Sequence, residues 1–365
     1  MANTFITIQE IARETLPRLI ENLVFPNLIY KDFSDTFTSL GDTIRVRKPV
    51  VLEASEFDAA SGVTAQDITE QTVSVKLDRI ATVDVELSAF EGAMNARSLA
   101  EQFLEPAAAA LAKKINSDGL ELYKDVAAYT GTAGTTPSAL SDMAAVRKLM
   151  NKNGVPTDRR CALWDADADA ALVQIPAIVS AEKSGSTQAL RSGSMGRIMG
   201  LDNYMSQAVK THAGGSVTGS PVLSAKAAAG ATFFSVSGAA SGSTVKKGDL
   251  LLMGGHSYTV TRDAGLDSEA VHVYPPVREE QALGTELTFI QSGVQNLAFH
   301  PMAFAFVCRP LSQPAGVESY TTSYNGVSLR VCRGYDMKYK KETLSMDVLY
   351  GFKTVYPELA VRCLG

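Results

Sequence analysis

Apolar positions recur at helical spacing near the start of the chain. Ile8, Ile11, Ala12, Leu16, Leu19, Ile20 and Leu23 form one stripe, which predicts an amphipathic helix. Glu10, Arg13, Glu14, Arg18 and Glu21 occupy the other face, and Pro17 falls inside, where it is expected to kink or divide the helix. Such an arm has no core of its own and needs another surface over its stripe. From Gly41 to Leu87 the period becomes two. Ile44 and Val46, then Val73, Val75 and Leu77, then Val83, Val85 and Leu87 alternate with polar residues, as strands with one buried face do. Between the first two strands, residues 53–70 hold five acidic side chains (Glu53, Glu56, Asp58, Asp67 and Glu70) and no basic one. That pattern predicts a long exposed β-loop, and loops of this length in ordered proteins are usually functional or partner-bound.

A helical block follows. Pro106 suits a first turn, and Leu104, Ala108, Leu111, Ile115, Leu122 and Val126 make one stripe. The pattern predicts a spine helix over 106–128, whose 23 residues would span roughly 35 Å. A Gly/Thr-rich linker over 130–136 interrupts it. The next helix is expected to begin near Ser138 or Ser141, either of which suits an N-cap, and to stop at Asn153-Gly154-Val155-Pro156. Another is expected over 168–175, ending at Pro176.

After Gly214-Gly215 the pattern changes to short β runs at 233–236, 250–253, 258–260, 270–274 and 287–290, separated by Gly-, Ser- and Pro-rich turns. About five strands in some 75 residues predict a small β-barrel or sandwich. It reads as an insertion, because helix-and-strand patterns resume beyond it. The remainder is strand-rich, with 327–331 and 345–350 alternating.

Composition narrows the function classes. Hydrophobic residues make up 45% and charged residues 20% of the 365, as in folded proteins rather than disordered ones. With 34 Lys+Arg against 39 Asp+Glu, the net charge is −5, without the positive excess that a dedicated nucleic-acid-gripping protein needs. No secretory leader is expected from Met1 to Ile6, and the longest apolar run, Met302 to Cys308, is far too short to span a membrane. Cys161, Cys308, Cys332 and Cys363 are too widely spaced for a C-x-x-C unit, so buried reduced thiols and folding in a cytosol are expected.

No motif points to catalysis. Asp165, Asp167 and Asp169 mimic half of a calcium loop, but Ala170 stands where the turn needs Gly and Pro176 where it needs a bidentate Glu. Acidic residues at a helix N-terminus explain them better. The glycines of 193–200 have the wrong spacing for a dinucleotide fingerprint and are expected in a turn with close backbone approach. His212, His256, His272 and His300 lie in no metal or nucleophile motif. Neither Lys246-Lys247 nor Lys338, Lys340 and Lys341 is free of nearby acids, so a solvated face is the reading for both. No enzyme activity, cofactor or metal is expected.

Four stretches in order carry a family resemblance. They are 131–138 running into the helix that stops at Gly154-Val155-Pro156, and 191–202 running into Tyr204-Met205-Ser206. Asn296 to Phe304 then leads to Arg309-Pro310-Leu311, and 328–331 is followed by 347–351 and 357–362. Together they resemble tailed-phage major capsid (coat) proteins of the P-twenty-two type, which have the Hong Kong ninety-seven-like capsid fold. The likeness covers nearly the whole chain outside 218–292. It implies an α+β fold divided into an N-terminal arm (1–37), an extended β-loop (38–88), a spine helix and peripheral domain (89–130 and 336–365), an axial domain (131–217 and 293–335) and an inserted small β-barrel domain (218–292). The insertion is short for that family.

The resemblance further implies a non-enzymatic shell subunit. Its partners would be other copies of itself in pentamers and hexamers, a scaffolding protein, a portal protein, and packaged double-stranded DNA on the inner face without sequence-specific binding. No membrane is involved, and the location would be the virion capsid after assembly in the host cytoplasm. An encapsulin-like bacterial compartment shell is the alternative. A soluble enzyme and a surface adhesin are weaker ones. In a shell, Glu53, Glu56, Asp58, Asp67 and Glu70 are expected to meet basic groups of a neighbour, with Arg13, Arg18, Arg45 and Arg47 as candidates. Lys246, Lys247 and Arg262 are expected to meet Asp263, Asp267 or Glu269 across a two-fold axis.

Overall fold

A computed structural model describes residues 8–31, 43–47, 72–88, 103–180, 182, 185, 187–336 and 341–365. The first stripe folds as one helix, Ile8–Asn22, and Pro17 on its exposed side does not divide it. Ile8, Ile11, Ala12, Leu16 and Leu19 are buried. The surface that this stripe needs lies within its own chain: it packs on the spine helix Glu105–Leu120 and on strands Glu318–Tyr324 and Val327–Asp336. Apolar area finds the nearest complementary surface, and here the turn Phe25–Leu28 brings it within the chain. Phe25 is fully buried, its ring 5.5 Å from that of Phe299 and 5.6 Å from that of Phe304. Buried Asn116 on the spine secures the exit from the arm. Its Oδ1 accepts from the N–H groups of Val24 and Phe25, both at 3.2 Å, and its Nδ2 donates to the Asn22 carbonyl.

The spine helix is shorter than its apolar period predicts. It runs for 16 residues, about 24 Å, and tightens into a 3₁₀ turn, Glu121–Asp125. Pro106 lies in its first turn as expected. Near its end Gly119 lies so close to the Phe25 ring that an added Cβ would come within 2.6 Å of it. The 3₁₀ turn directs Tyr123 inward, and the chain then enters strand Tyr129–Gly131, where the sequence predicted the start of a linker.

Two sheets flank this helical layer. One has the strand order Tyr129–Gly131, Ala360–Leu364, Ser292–Phe299, Cys161–Trp164, Leu201–Met205, Arg197–Ile198. It is mixed: Ala360–Leu364 runs antiparallel to Ser292–Phe299 and parallel to Tyr129–Gly131. Helices Leu140–Lys152 and Ala166–Val173 cover it through Met143, Val146, Met150 and Leu172, which pack with Trp164. The first of these helices begins at Ala139, not at a serine cap. Asp142, in its first turn, substitutes by accepting from the N–H groups of Ser138 and Ala139, both at 3.0 Å. It ends as expected, with Gly154 at φ 69° and Val155 N–H returning to the Met150 carbonyl. Asp165 caps the second helix by accepting from Asp167 N–H. Gly193, Gly196 and Gly200 all adopt positive φ, but no atom lies within 4 Å of an added Cβ, so conformation rather than close approach calls for glycine there.

The other sheet is organised on one strand, Lys341–Thr354. Strand Arg79–Ser88 pairs along one edge, while Val327–Asp336 and then Phe304–Arg309 share the other. The predicted hairpin exists with Thr43–Arg47 antiparallel to Thr72–Lys76, Thr43 opposite Lys76. Residues 53–70 lie outside the described residues.

Residues 219–290 are all-β and carry a separate apolar cluster that includes Leu223, Phe234, Leu251, Tyr258, Val260 and Val273. Their strands form a five-stranded antiparallel sheet in the order Phe233–Phe234, Val271–Tyr274, His256–Val260, Leu250–Met253, Thr288–Ile290, plus two two-stranded ladders. The predicted run 233–236 is two short strands, because the chain turns between Phe234 and Val236 to join different sheets. Among the described residues, no helix is long and apolar enough to cross a membrane. All four cysteines are buried and free.

Candidate assembly surfaces and the buried junction

The predicted contact residues fall into four groups. Arg13 is exposed on the arm helix, whereas Arg18 reaches Glu105 of its own spine at 3.1 Å. Arg45 and Arg47 lie on the first hairpin strand. Glu53, Glu56, Asp58, Asp67 and Glu70 lie outside the described residues. In the group from 246 to 269, Asp263 accepts from Lys247 N–H at 2.7 Å, Asp267 from Gly242 N–H at 2.8 Å, and Glu269 from Gly265 N–H at 2.9 Å. These carboxylates satisfy backbone donors of their own chain, Glu269 within its own turn and Asp263 and Asp267 across to turns 16 and 25 positions away. The Lys247 ammonium meets Asp125, in the turn that ends the spine, at 3.1 Å. Lys246 and Arg262 are exposed.

Sequence reasoning missed a buried polar junction between the all-β segment 219–290 and the rest of the chain. Asp249, fully buried, receives four hydrogen bonds: from His212 Nε2 at 2.6 Å, Gln291 Nε2 at 3.0 Å, and the backbone N–H groups of Lys246 at 2.9 Å and Gly215 at 3.2 Å. Burial alone would raise its pKa, but these donors outweigh burial and hold the carboxyl below its ordinary range. An ionised carboxylate only accepts, so His212 donates through Nε2. In the neutral ring, Nδ1 then accepts from the Tyr123 hydroxyl at 2.8 Å.

Arg362 closes the junction from the last strand. It is fully buried, with its guanidinium 5.2 Å from the Tyr123 ring centroid. It donates to the Gly248 carbonyl at 2.7 Å and to Thr259 Oγ1 at 2.9 Å, and Thr259 in turn donates to the Lys124 carbonyl. Burial pulls the Arg362 pKa down to about 9, partly offset by Tyr123, Asp125 and Asp249, so the side chain stays charged at neutral pH. One legible signal existed: Arg362 is the single charge in the apolar run 359–364, and a charge inside a buried strand demands buried acceptors.

An Asp–His–Tyr chain resembles a relay that activates a nucleophile, but its electrostatics run the other way. Burial pushes the Tyr123 phenol up to about 12, leaving it a protonated donor. The arrangement therefore fastens one part of the fold to another. Among the described residues there is no group of three or more His, Cys, Asp or Glu side chains able to hold a metal ion.

The sequence matches no family model, and no curated protein matches it. Solved structures do resemble the fold. A Mycobacterium phage Che8 structure is 16% identical with a TM-score of 0.53, over 93% of this chain and 90% of that one. The capsid structure of the cyanophage P-SCSP1u is 12% identical with a TM-score of 0.51, over 94% of this chain and 88% of that one. The arm helix, hairpin, spine and two flanking sheets thus make up the α+β fold of phage capsid proteins, the Hong Kong ninety-seven-like fold that the sequence led us to expect.

Proposed function

We propose that this chain is the major capsid protein of a tailed bacteriophage, assembling in many copies into the icosahedral shell around its double-stranded DNA. The supporting observation is the fold likeness to a phage capsid along 94% of the chain. Shell geometry asks each subunit for many individually weak contacts, so that errors can be undone during growth. Exposed ion pairs, at most about 1 kcal/mol each, suit that need. Glu53, Glu56, Asp58, Asp67 and Glu70 on one subunit, with Arg13, Arg18, Arg45 and Arg47 as basic candidates on another, would supply such contacts. Lys246, Lys247 and Arg262 facing Asp263, Asp267 or Glu269 of a two-fold neighbour would add more. The net charge of −5 suits a wall past which DNA must slide.

The domain division given above, with residues 218–292 as an inserted domain, belongs to the same reading, as do a scaffolding protein, a portal and a virion location. Electron microscopy of the purified chain, alone and with a candidate scaffold, tests the function. Closed shells of uniform size are expected. A chain that stays monomeric under every condition, scaffold included, overturns it. Deleting 218–292 must be paired with replacement of Arg362 and His212 by apolar residues, because the deletion strips both of their buried partners.

A further inference from the structure

A surface cleft of about 470 Å³ opens where three parts of the chain meet. Lys124 comes from the 3₁₀ turn that ends the spine, Lys210 from the approach to strand Thr211–Ala213, and Lys246 and Lys247 from the all-β segment 219–290. Tyr123 and His212, both buried, form the floor. Two carboxylates, Glu121 and Asp263, also line the cleft. Asp263 already accepts from Lys247 N–H at 2.7 Å, and the Lys247 ammonium meets Asp125 at 3.1 Å. Among the described residues, no carboxylate pairs with the ammonium groups of Lys124, Lys210 or Lys246.

The backbone holds these three cations in place. Lys124 and Lys210 are half-buried. The Lys124 carbonyl accepts from Thr259 Oγ1 at 2.8 Å, and its stem lies against Gly248, where an added Cβ would come within 2.7 Å of it. The Lys210 carbonyl accepts from Gln295 N–H at 2.9 Å. Lys246 N–H is fixed on Asp249 at 2.9 Å. Gathering three like charges around one cleft is unfavourable, because they repel one another and lose rotamer freedom. A ligand with several negative charges reverses that balance.

We infer that this cleft binds a small oligophosphate, the class of inorganic tripolyphosphate and nucleoside triphosphates. A lysine ammonium is a compact point charge with three donors, suited to phosphate oxygens, and the Thr211 hydroxyl in the lining adds a neutral donor. Volume agrees, since small-ligand sites run from roughly 300 to 1,000 Å³. A DNA duplex fits less well. The cations share one concave site rather than a track, Glu121 and Asp263 would face the duplex backbone, and the chain's net charge is −5. Because the lysines come from three separate parts of the chain, a bound oligophosphate would clamp those parts together beside the Asp249 junction. The inference does not depend on the capsid reading.

Calorimetric titration of the full chain with inorganic tripolyphosphate at fixed ionic strength, paired with acetylation footprinting by mass spectrometry, tests this. One ligand per chain is expected, with Lys124, Lys210 and Lys246 protected and the exposed Lys152 not. Lys124→Gln with Lys210→Gln should weaken binding roughly tenfold or more, while Lys152→Gln should leave it unchanged. If that double variant does not fold, Lys246→Gln, at an exposed position, should weaken binding roughly threefold. Hydrogen exchange at the Gly215 and Lys246 amides should slow on binding. Absence of binding, equal protection of Lys152, or unchanged affinity in the cleft variants overturns the inference. Protection by a short DNA duplex but not by tripolyphosphate overturns it in favour of a nucleic-acid surface.

Discussion

Replacing Asp249 by alanine removes the acceptor at the centre of the junction and leaves four donors facing a dry space: His212 Nε2, Gln291 Nε2 and the N–H groups of Lys246 and Gly215. Hydrogen bonds to a charged group contribute about 1.5–3 kcal/mol each, and an abandoned buried donor costs about 1–3 kcal/mol. These terms are not additive, because Lys246 N–H and Gln291 can turn toward entering water. The two donors that cannot turn away, each losing about 1.5–3 kcal/mol, lead us to expect about 4 kcal/mol here. Urea unfolding should show that loss as a lower midpoint at unchanged slope. Hydrogen exchange should accelerate at Gly215 and Lys246 before the rest of the chain responds. Asp249→Asn should lose about 1–2 kcal/mol, since its Oδ1 can keep the three-donor side while His212 shifts its proton to Nδ1. Combining Asp249→Ala with His212→Ala should lose much less than the sum of the single changes. A loss below about 1 kcal/mol for Asp249→Ala, or simple additivity, would refute the view that these residues act as one buried unit.

Other expectations follow from packing and titration. Gly351→Ala should lose about 3 kcal/mol, because its Cβ would come within 2.2 Å of the Lys76 carbonyl; thermal unfolding reads it. Phe25→Ala should lose about 3–5 kcal/mol by emptying the site between Phe299 and Phe304, and faster proteolysis of the arm should accompany it. Stability should decline in two steps as pH falls. Burial lowers the His300 pKa, so the unfolded chain takes that proton first and stability begins to drop below about 6.5. Burial works against the depression of Asp118 and Asp249. The donors Lys114 and Tyr350 for Asp118, and His212 and Gln291 for Asp249, outweigh it, so their contribution is complete above about 4 and is lost below that. Urea midpoints between pH 8 and 3 check both steps. Burial pushes Cys161 and Cys363 to about 11 and Cys308 to about 12, so native protein should react with thiol reagents only as fast as it opens.

Much of this molecule was legible because the signals are local. The Ile8–Leu19 stripe, the alternation from Thr43 to Leu87 and the Gly154-Val155-Pro156 stop each depend on a few successive residues. Their φ/ψ and side-chain periods follow from chain chemistry alone. Expectations failed where distant residues overrule local preference. The spine period continues to Val126, but the helix ends at Leu120 because Tyr123 must reach His212, 89 positions away. A serine cap was expected near 138 or 141, and Asp142 does that work.

By itself, then, the sequence determined the element types, the reduced cysteines, the acidic segment and the order of parts that resembles a capsid protein. Tertiary structure alone decided what covers each face and which polar groups meet in the dry interior. The arm's stripe is apolar in any fold; only assembled geometry places it on its own spine. Arg362 and Gly248 are 114 positions apart, and no period or propensity carries information over that distance. Their meeting depends on desolvation and hydrogen-bond satisfaction, which act only once the chain has closed around them.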